Sequence, residues 1–112
     1  MKVSDCKSCV GPGWGPLLDE LHAELQVAYP DYEAEQVKEK FGILRVYVTP
    51  SEADGIVVRY ENRSGHICEE CGRPGRLRKG GWLRTLCDEC RVARGERDLV
   101  GELEQIIVET DR

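Results

Sequence analysis

The chain has 112 residues, 40% of them hydrophobic and 33% charged, and a net charge of −5. That length suits one domain, the apolar share is too high for a disordered chain, and no run approaches the roughly 20 apolar residues of a membrane helix. With only seven aromatic residues the core must rest on Leu, Ile and Val, and a core this small gains from a metal that ties segments together. The N-terminus carries no apolar leader segment, which points to the cytoplasm, where paired cysteines favour a metal over a disulfide.

In chain order, residues 1–15 read as a loop that carries Cys6 and Cys9 and ends in Gly11-Pro12-Gly13-Trp14-Gly15. Leu17, Leu18, Leu21, Leu25 and Ala28 then recur at helical spacing, with Pro16 suited to the first turn, so a helix is predicted over 16–29 and ends at Pro30. Asp19 and Glu20 fall where the helix dipole favours anions. Ile43 to Val48 is β-rich and predicts a strand. The stretch before it fits either a short helix, with Ala34, Val37 and Phe41 on one side, or the partner strand of a hairpin over about 33–48, the reading preferred here. Ser51 and Asp54 have capping-box spacing, and Ile56, Val57 and Tyr60 share a helical face, so a second helix is expected over about 52–64, against the β-branched run Ile56-Val57-Val58. Residues 97–109 read as a C-terminal helix striped by Leu99, Leu103, Ile106 and Ile107. The expected fold is α+β: an N-terminal part over 1–65 and a finger with its helix over 66–112, in one compact domain.

All six cysteines fall into Cys-x-x-Cys pairs, and two of the pairs give the pattern Cys68-x2-Cys71-x15-Cys87-x2-Cys90. Two residues between thiols let one turn of backbone aim both sulfurs at a single ion, and four thiolates close a tetrahedral zinc site of the structural kind. The Gly72 that follows the second thiol suits the left-handed backbone of such a turn. A knuckle, a hairpin with a strand over 82–86, and a second pair opening a helix would make a treble-clef-like finger. Redox dithiols, disulfides and iron–sulfur ligation are the competing readings of the same cysteines. A second zinc is open to Cys6, Cys9, His22 and His66, if the fold returns His66 to the N-terminus. Otherwise the first pair is free and reactive, or shares a zinc between molecules.

Charge is segregated. Residues 1–62 carry six Lys/Arg against eleven Asp/Glu, residues 63–97 nine against five, and residues 98–112 one against five. Arg73, Arg76, Arg78, Lys79 and Arg84 lie in a run, 72–86, that has no acidic residue. Such a run could hold the phosphates of nucleic acid or of a nucleotide, or it could be a solvated loop that pairs with the acidic flanks of its own chain or of a neighbour. Trp14 and Trp82, each in a Gly-rich loop, are either docking anchors or core residues.

The segments Gln36-Val37-Lys38-Glu39-Lys40-Phe41-Gly42-Ile43-Leu44-Arg45-Val46-Tyr47-Val48, Cys68 to Gly75, and Gly81-Trp82-Leu83-Arg84-Thr85-Leu86-Cys87-Asp88 resemble a family of short zinc-finger proteins from bacteria and their phages. That family joins a "QVKEKFGGLR-YV" stretch to a "CE-CG-PG-LR…GWLRTLCD" finger. The resemblance implies a phage or prophage context and a hairpin over residues 33–48, with Ile43 replacing the second glycine of the family's turn. Over residues 66–92 alone, the finger is similar to that of DksA/TraR-type transcription regulators, without the coiled coil those proteins carry ahead of it.

The function expected from these features is a non-enzymatic zinc-binding module or regulator that meets nucleic acid or the transcription machinery through the basic loop. The alternative is a phage inhibitor of a host system, which sequesters a nucleotide or blocks a host protein. An oligomer is compatible with either. No P-loop, His-Glu-x-x-His or Ser/His/Asp context appears, and a treble-clef nuclease would rest on His66 alone.

Overall fold

The structure is a computed structural model that describes residues 1–79 and 83–93; Trp82 and the helix predicted over 97–109 lie outside them. Two 3-10 segments, Val3–Cys9 and Pro12–Trp14, lead into helix α1, Gly15–Ala28. Strands β1 (Glu33–Lys40) and β2 (Ile43–Thr49) follow, then a 3-10 turn, Ser51–Ala53, and helix α2, Asp54–Ser64. Strands β3 (Arg76–Arg78) and β4 (Arg84–Leu86) precede the short helix α3, Asp88–Ala93. The architecture is α+β, with two separate two-stranded antiparallel sheets. No helix of the described residues is long and apolar enough to cross a membrane.

The hairpin reading of 33–48 is the one observed, and the register explains why β1 also looked helical. Ala34 pairs with Val48 but Gln36 pairs with Tyr47, so Glu35 is the extra residue of a β-bulge. The bulge reverses the alternation once, and Ala34 and Val37, three residues apart, both turn into the core. Strand β2 has no such interruption: Leu44, Val46 and Val48 are buried between exposed neighbours.

The inner face of this hairpin joins Leu17, Leu18, Leu21 and Leu25 of α1, Val57 and Tyr60 of α2, and Val3, Trp14 and Tyr32 in one buried cluster. Helix α2 lies along the free edge of β2. Ser64 Oγ accepts the Leu44 N–H at 2.9 Å and Glu61 Oε2 accepts the Val46 N–H at 2.9 Å, so the helix satisfies donors that lack a strand partner. The β-branched run fits the helix because Val57 is buried, Ile56 half-buried and Val58 exposed.

Two local expectations are corrected. The capping box at Ser51 and Asp54 does not form: neither the 3-10 turn nor α2 has a side-chain cap, because the chain enters α2 by tightening through that turn. Asp19 and Glu20 lie beyond the first turn of α1 and serve as ion-pair partners instead, Asp19 to Lys7 at 2.8 Å and Glu20 to Arg63 at 3.0 Å.

The hairpin turns through Phe41 and Gly42, with φ of 57° and 82°. Two positive φ values in a two-residue loop are what a type I′ turn requires, and an L-residue other than Asn or Asp pays for the first of them. Phe41 pays while its ring stays 65% exposed. Replacing Phe41 with Asn is therefore expected to stabilise the protein by about 1 kcal/mol, read as a higher urea midpoint at unchanged slope.

Candidate metal centre

Four cysteines from two knuckles meet at the end of the molecule beyond the hairpin turn. The Sγ atoms of Cys68, Cys71, Cys87 and Cys90 lie within 4.8 Å of one another, and those of Cys71 and Cys87 are 3.7 Å apart. A tetrahedral ion with metal–sulfur bonds of about 2.3 Å requires sulfur separations of about 3.8 Å, so the thiols are already spaced for one. The first knuckle closes with Gly72 N–H donating to the Cys68 carbonyl at 2.9 Å, and Gly72 has the positive φ, 85°, expected after the second thiol. The second is completed by α3, where the Cys90 N–H points at Cys87 Sγ at 3.4 Å.

The four thiols are not equivalent. Cys68 and Cys87 are buried, Cys90 is half-buried and Cys71 is exposed. The Arg73 guanidinium donates to Cys71 Sγ at 3.3 Å and to Cys87 Sγ at 3.9 Å. That contact brings the Cys71 thiol down to about 6, whereas burial and the neighbouring thiols push Cys90 up to about 12. The Arg73 guanidinium thus favours the thiolate form of Cys71, the form in which a thiol ligates a metal.

The finger is welded to the body at three places. Gly13 N–H donates to the Glu69 carbonyl at 2.8 Å, the Trp14 indole N–H to the Ile67 carbonyl at 2.9 Å, and Thr85 Oγ1 to the Gly42 carbonyl at 2.6 Å. The glycines of the N-terminal loop permit the first contact. A Cβ at Gly13 would lie 2.1 Å from the Cys68 carbonyl oxygen and 2.5 Å from Gly72 N, inside the knuckle itself. Trp14 is fully buried, so it is a core residue that seats the knuckle. Glu69, between the two thiols of the first knuckle, is buried and accepts the Thr85 N–H at 3.0 Å, while burial pushes its carboxyl pKa up. Sequence reading passed over Gly13, Glu69 and Thr85. The Gly-x-Gly-Trp-Gly spacing was the available signal, but its partner lies more than fifty positions away.

The arginines of the basic run are paired with carboxylates of the same chain. Arg73 pairs with Glu89, Arg76 with Asp88 at 3.8 Å, Arg78 with Asp88 at 2.7 Å and Arg84 with Glu69 at 3.4 Å. Arg78 also donates to the Leu86 carbonyl at 3.1 Å. Lys79 is exposed. Carboxylates that flank the run in sequence return over it once the hairpin β3–β4 and α3 have formed.

Cys6, Cys9, His22 and His66 are not brought together. Among the described residues, the group above is the one cluster of three or more metal-ligating side chains. Cys6 is buried with its thiol 3.3 Å from Met1 Sδ, while Cys9 is exposed. His22 Nδ1 lies 2.6 Å from the buried Tyr32 hydroxyl, and His66 is exposed beside the finger, its carbonyl accepting the Gly75 N–H at 3.0 Å.

Compared with known proteins, the chain matches no family model, no curated protein and no solved structure.

The contact between loop and knuckle has a sharp test. Gly13→Ala is expected to lower stability by about 3 kcal/mol, the upper end for overpacking, because both clashing groups are backbone. Gly15→Ala, whose Cβ would meet only Lys7 Cδ at 3.7 Å, should leave the urea midpoint unchanged or higher.

Proposed function

We propose that this chain is a non-enzymatic binding module braced by one structural zinc ion on Cys68, Cys71, Cys87 and Cys90. The observation that carries this reading is the four-thiol cluster, whose knuckle is bonded to the N-terminal loop and whose strand β4 is bonded to the hairpin turn. Four protein thiolates complete a zinc ion's tetrahedron, which leaves no position for water or substrate and makes the metal a source of folding energy. Knuckle, hairpin and helix follow one another in treble-clef order.

Charge supports a bracing role for the finger over a phosphate-gripping one. Residues 66–93 hold six Lys/Arg and four Asp/Glu, and a divalent ion on four thiolates adds two negative charges, so the loaded finger is neutral. Arg73 offsets the tetrathiolate directly, as a donor to two of its sulfurs. The nucleic-acid reading of the finger loop thus narrows to Lys79, since Arg76 also meets Asp88 at 3.8 Å. A phage setting and a role in regulating or blocking a host protein rest on the sequence resemblance and need a partner to be identified.

One zinc per chain is expected by metal analysis, unchanged in Cys6→Ser and lost in Cys87→Ser, and chelation should lower the melting temperature. Two zincs in the wild type, or a melting temperature indifferent to chelator, would refute the reading. In Arg73→Ala the Cys71 thiol moves back up toward its ordinary value of 9.0, protons compete better for the sulfur, and zinc should be released at higher pH on acid titration.

A further inference from the structure

The outer face of the β1–β2 hairpin carries its own arrangement of cations and rings, none of them part of the four-thiol cluster. Cross-strand register sets Gln36 opposite Tyr47, Lys38 opposite Arg45 and Lys40 opposite Ile43. These pairs alternate with the buried pair Val37–Val46 and with the half-buried Glu39 opposite the buried Leu44, so they lie on the face turned away from the core. Three cations therefore share one short ribbon of a protein whose net charge is −5. Among the described residues no ion pair involves Lys38, Lys40 or Arg45, in contrast to the arginines of the finger.

The carboxylates of β1 do not answer them. Glu33 pairs with the N-terminal amine and Lys2, Glu39 turns back to the Gly42 N–H, and Glu35 sits in the bulge at the end farther from the turn. Aromatic rings flank the cations. Tyr47 is 45% exposed with Lys38 Nζ 5.9 Å from its ring centre, and Phe41 is 65% exposed with Lys40 Nζ 5.7 Å from its own. From Ile43 to Tyr47 the ribbon runs about 13 Å, room for a few nucleotides. Phe41 is held there against its backbone preference, and such strain at an exposed aromatic is a mark of use.

We infer that this face binds single-stranded nucleic acid, with Lys38, Lys40 and Arg45 on successive phosphates and the rings of Tyr47 and Phe41 under bases. Alternating cation and exposed ring is the chemistry of a stacking platform, whereas an acidic peptide would use the cations and leave the rings idle. A duplex would hide the base faces that the rings are placed to meet. The inference rests on the binding-module reading above and supplies its surface and partner. The finger contributes by holding the turn: Thr85 bonds the Gly42 carbonyl, and Leu77 lies against Gly42.

The test uses the full zinc-loaded chain and a fluorescein-labelled oligothymidylate of fifteen nucleotides, read by anisotropy across a salt series. The expected log–log salt slope is about −2 for three phosphate contacts, and Lys38→Ala or Arg45→Ala should each reduce it by about 0.7. Tyr47→Ala should weaken binding about tenfold and Tyr47→Phe should restore it, since the ring and not the hydroxyl does the stacking. Arg76→Ala should leave the affinity unchanged. Equal affinity for a duplex of the same length, equal affinity for a polyglutamate peptide, wild-type binding by Tyr47→Ala, or no binding at low salt would each overturn the inference. Zinc content and the effect of chelator on melting are read on the same sample, so a failure here leaves the metal-braced module to stand or fall separately.

Discussion

The backbone of the first knuckle meets the backbone of the N-terminal loop with no side chain between them, and most of the structure depends on that contact. Gly13 sits where even a Cβ would collide with the Cys68 carbonyl, and its N–H is taken by Glu69. The loop passes directly into α1, while the knuckle carries two of the four thiols and, through Glu69, the backbone of β4. Strand β4 in turn bonds the hairpin turn through Thr85. Helix, metal site and hairpin are therefore coupled through one close approach. In a domain this small, an ion held by the four thiols would add its binding free energy to the folding of the whole assembly.

Electrostatics divides the molecule more sharply than its charge run suggests. Arg73 donates to two sulfurs of the four-thiol cluster, and Arg73, Arg76, Arg78 and Arg84 each meet a nearby carboxylate. These pairs are mostly at the surface and each is worth little in stability. Their larger consequence is to cancel charge locally, so that the finger presents little net field. The cations of the hairpin have no such partners among the described residues. These cations sit on a hairpin that the composition of its own half, rich in Asp and Glu, would not single out.

The turn at Phe41 and Gly42 joins these two themes. It is the strained end of the hairpin and also the point the finger grips. A type I′ turn with an exposed phenylalanine in its first position is a poor local choice, and the contacts from Thr85 and Leu77 hold it in place.

Much of this was legible in the residues alone. The leucine spacing of α1, the alternation of β2 and the Cys-x-x-Cys pairs each express chemistry that acts within a few residues, and each gave the right element in nearly the right place. Where the local signal was ambiguous, tertiary packing chose. The bulge at Glu35 let a helix-like spacing of Ala34 and Val37 serve a strand, since a strand packed on one face needs only that its buried residues arrive on the same side. The same holds for charge and ligands. Sequence determined that basic residues crowd around a four-cysteine site, but which carboxylate each arginine meets depends on how β3, β4 and α3 bring distant positions together. It determined that Cys6, Cys9, His22 and His66 have the right donor atoms, whereas the fold does not gather the four into one cluster. Ligand chemistry is a property of the side chain; the site belongs to the fold, because only the fold sets which side chains share a space a few ångströms across.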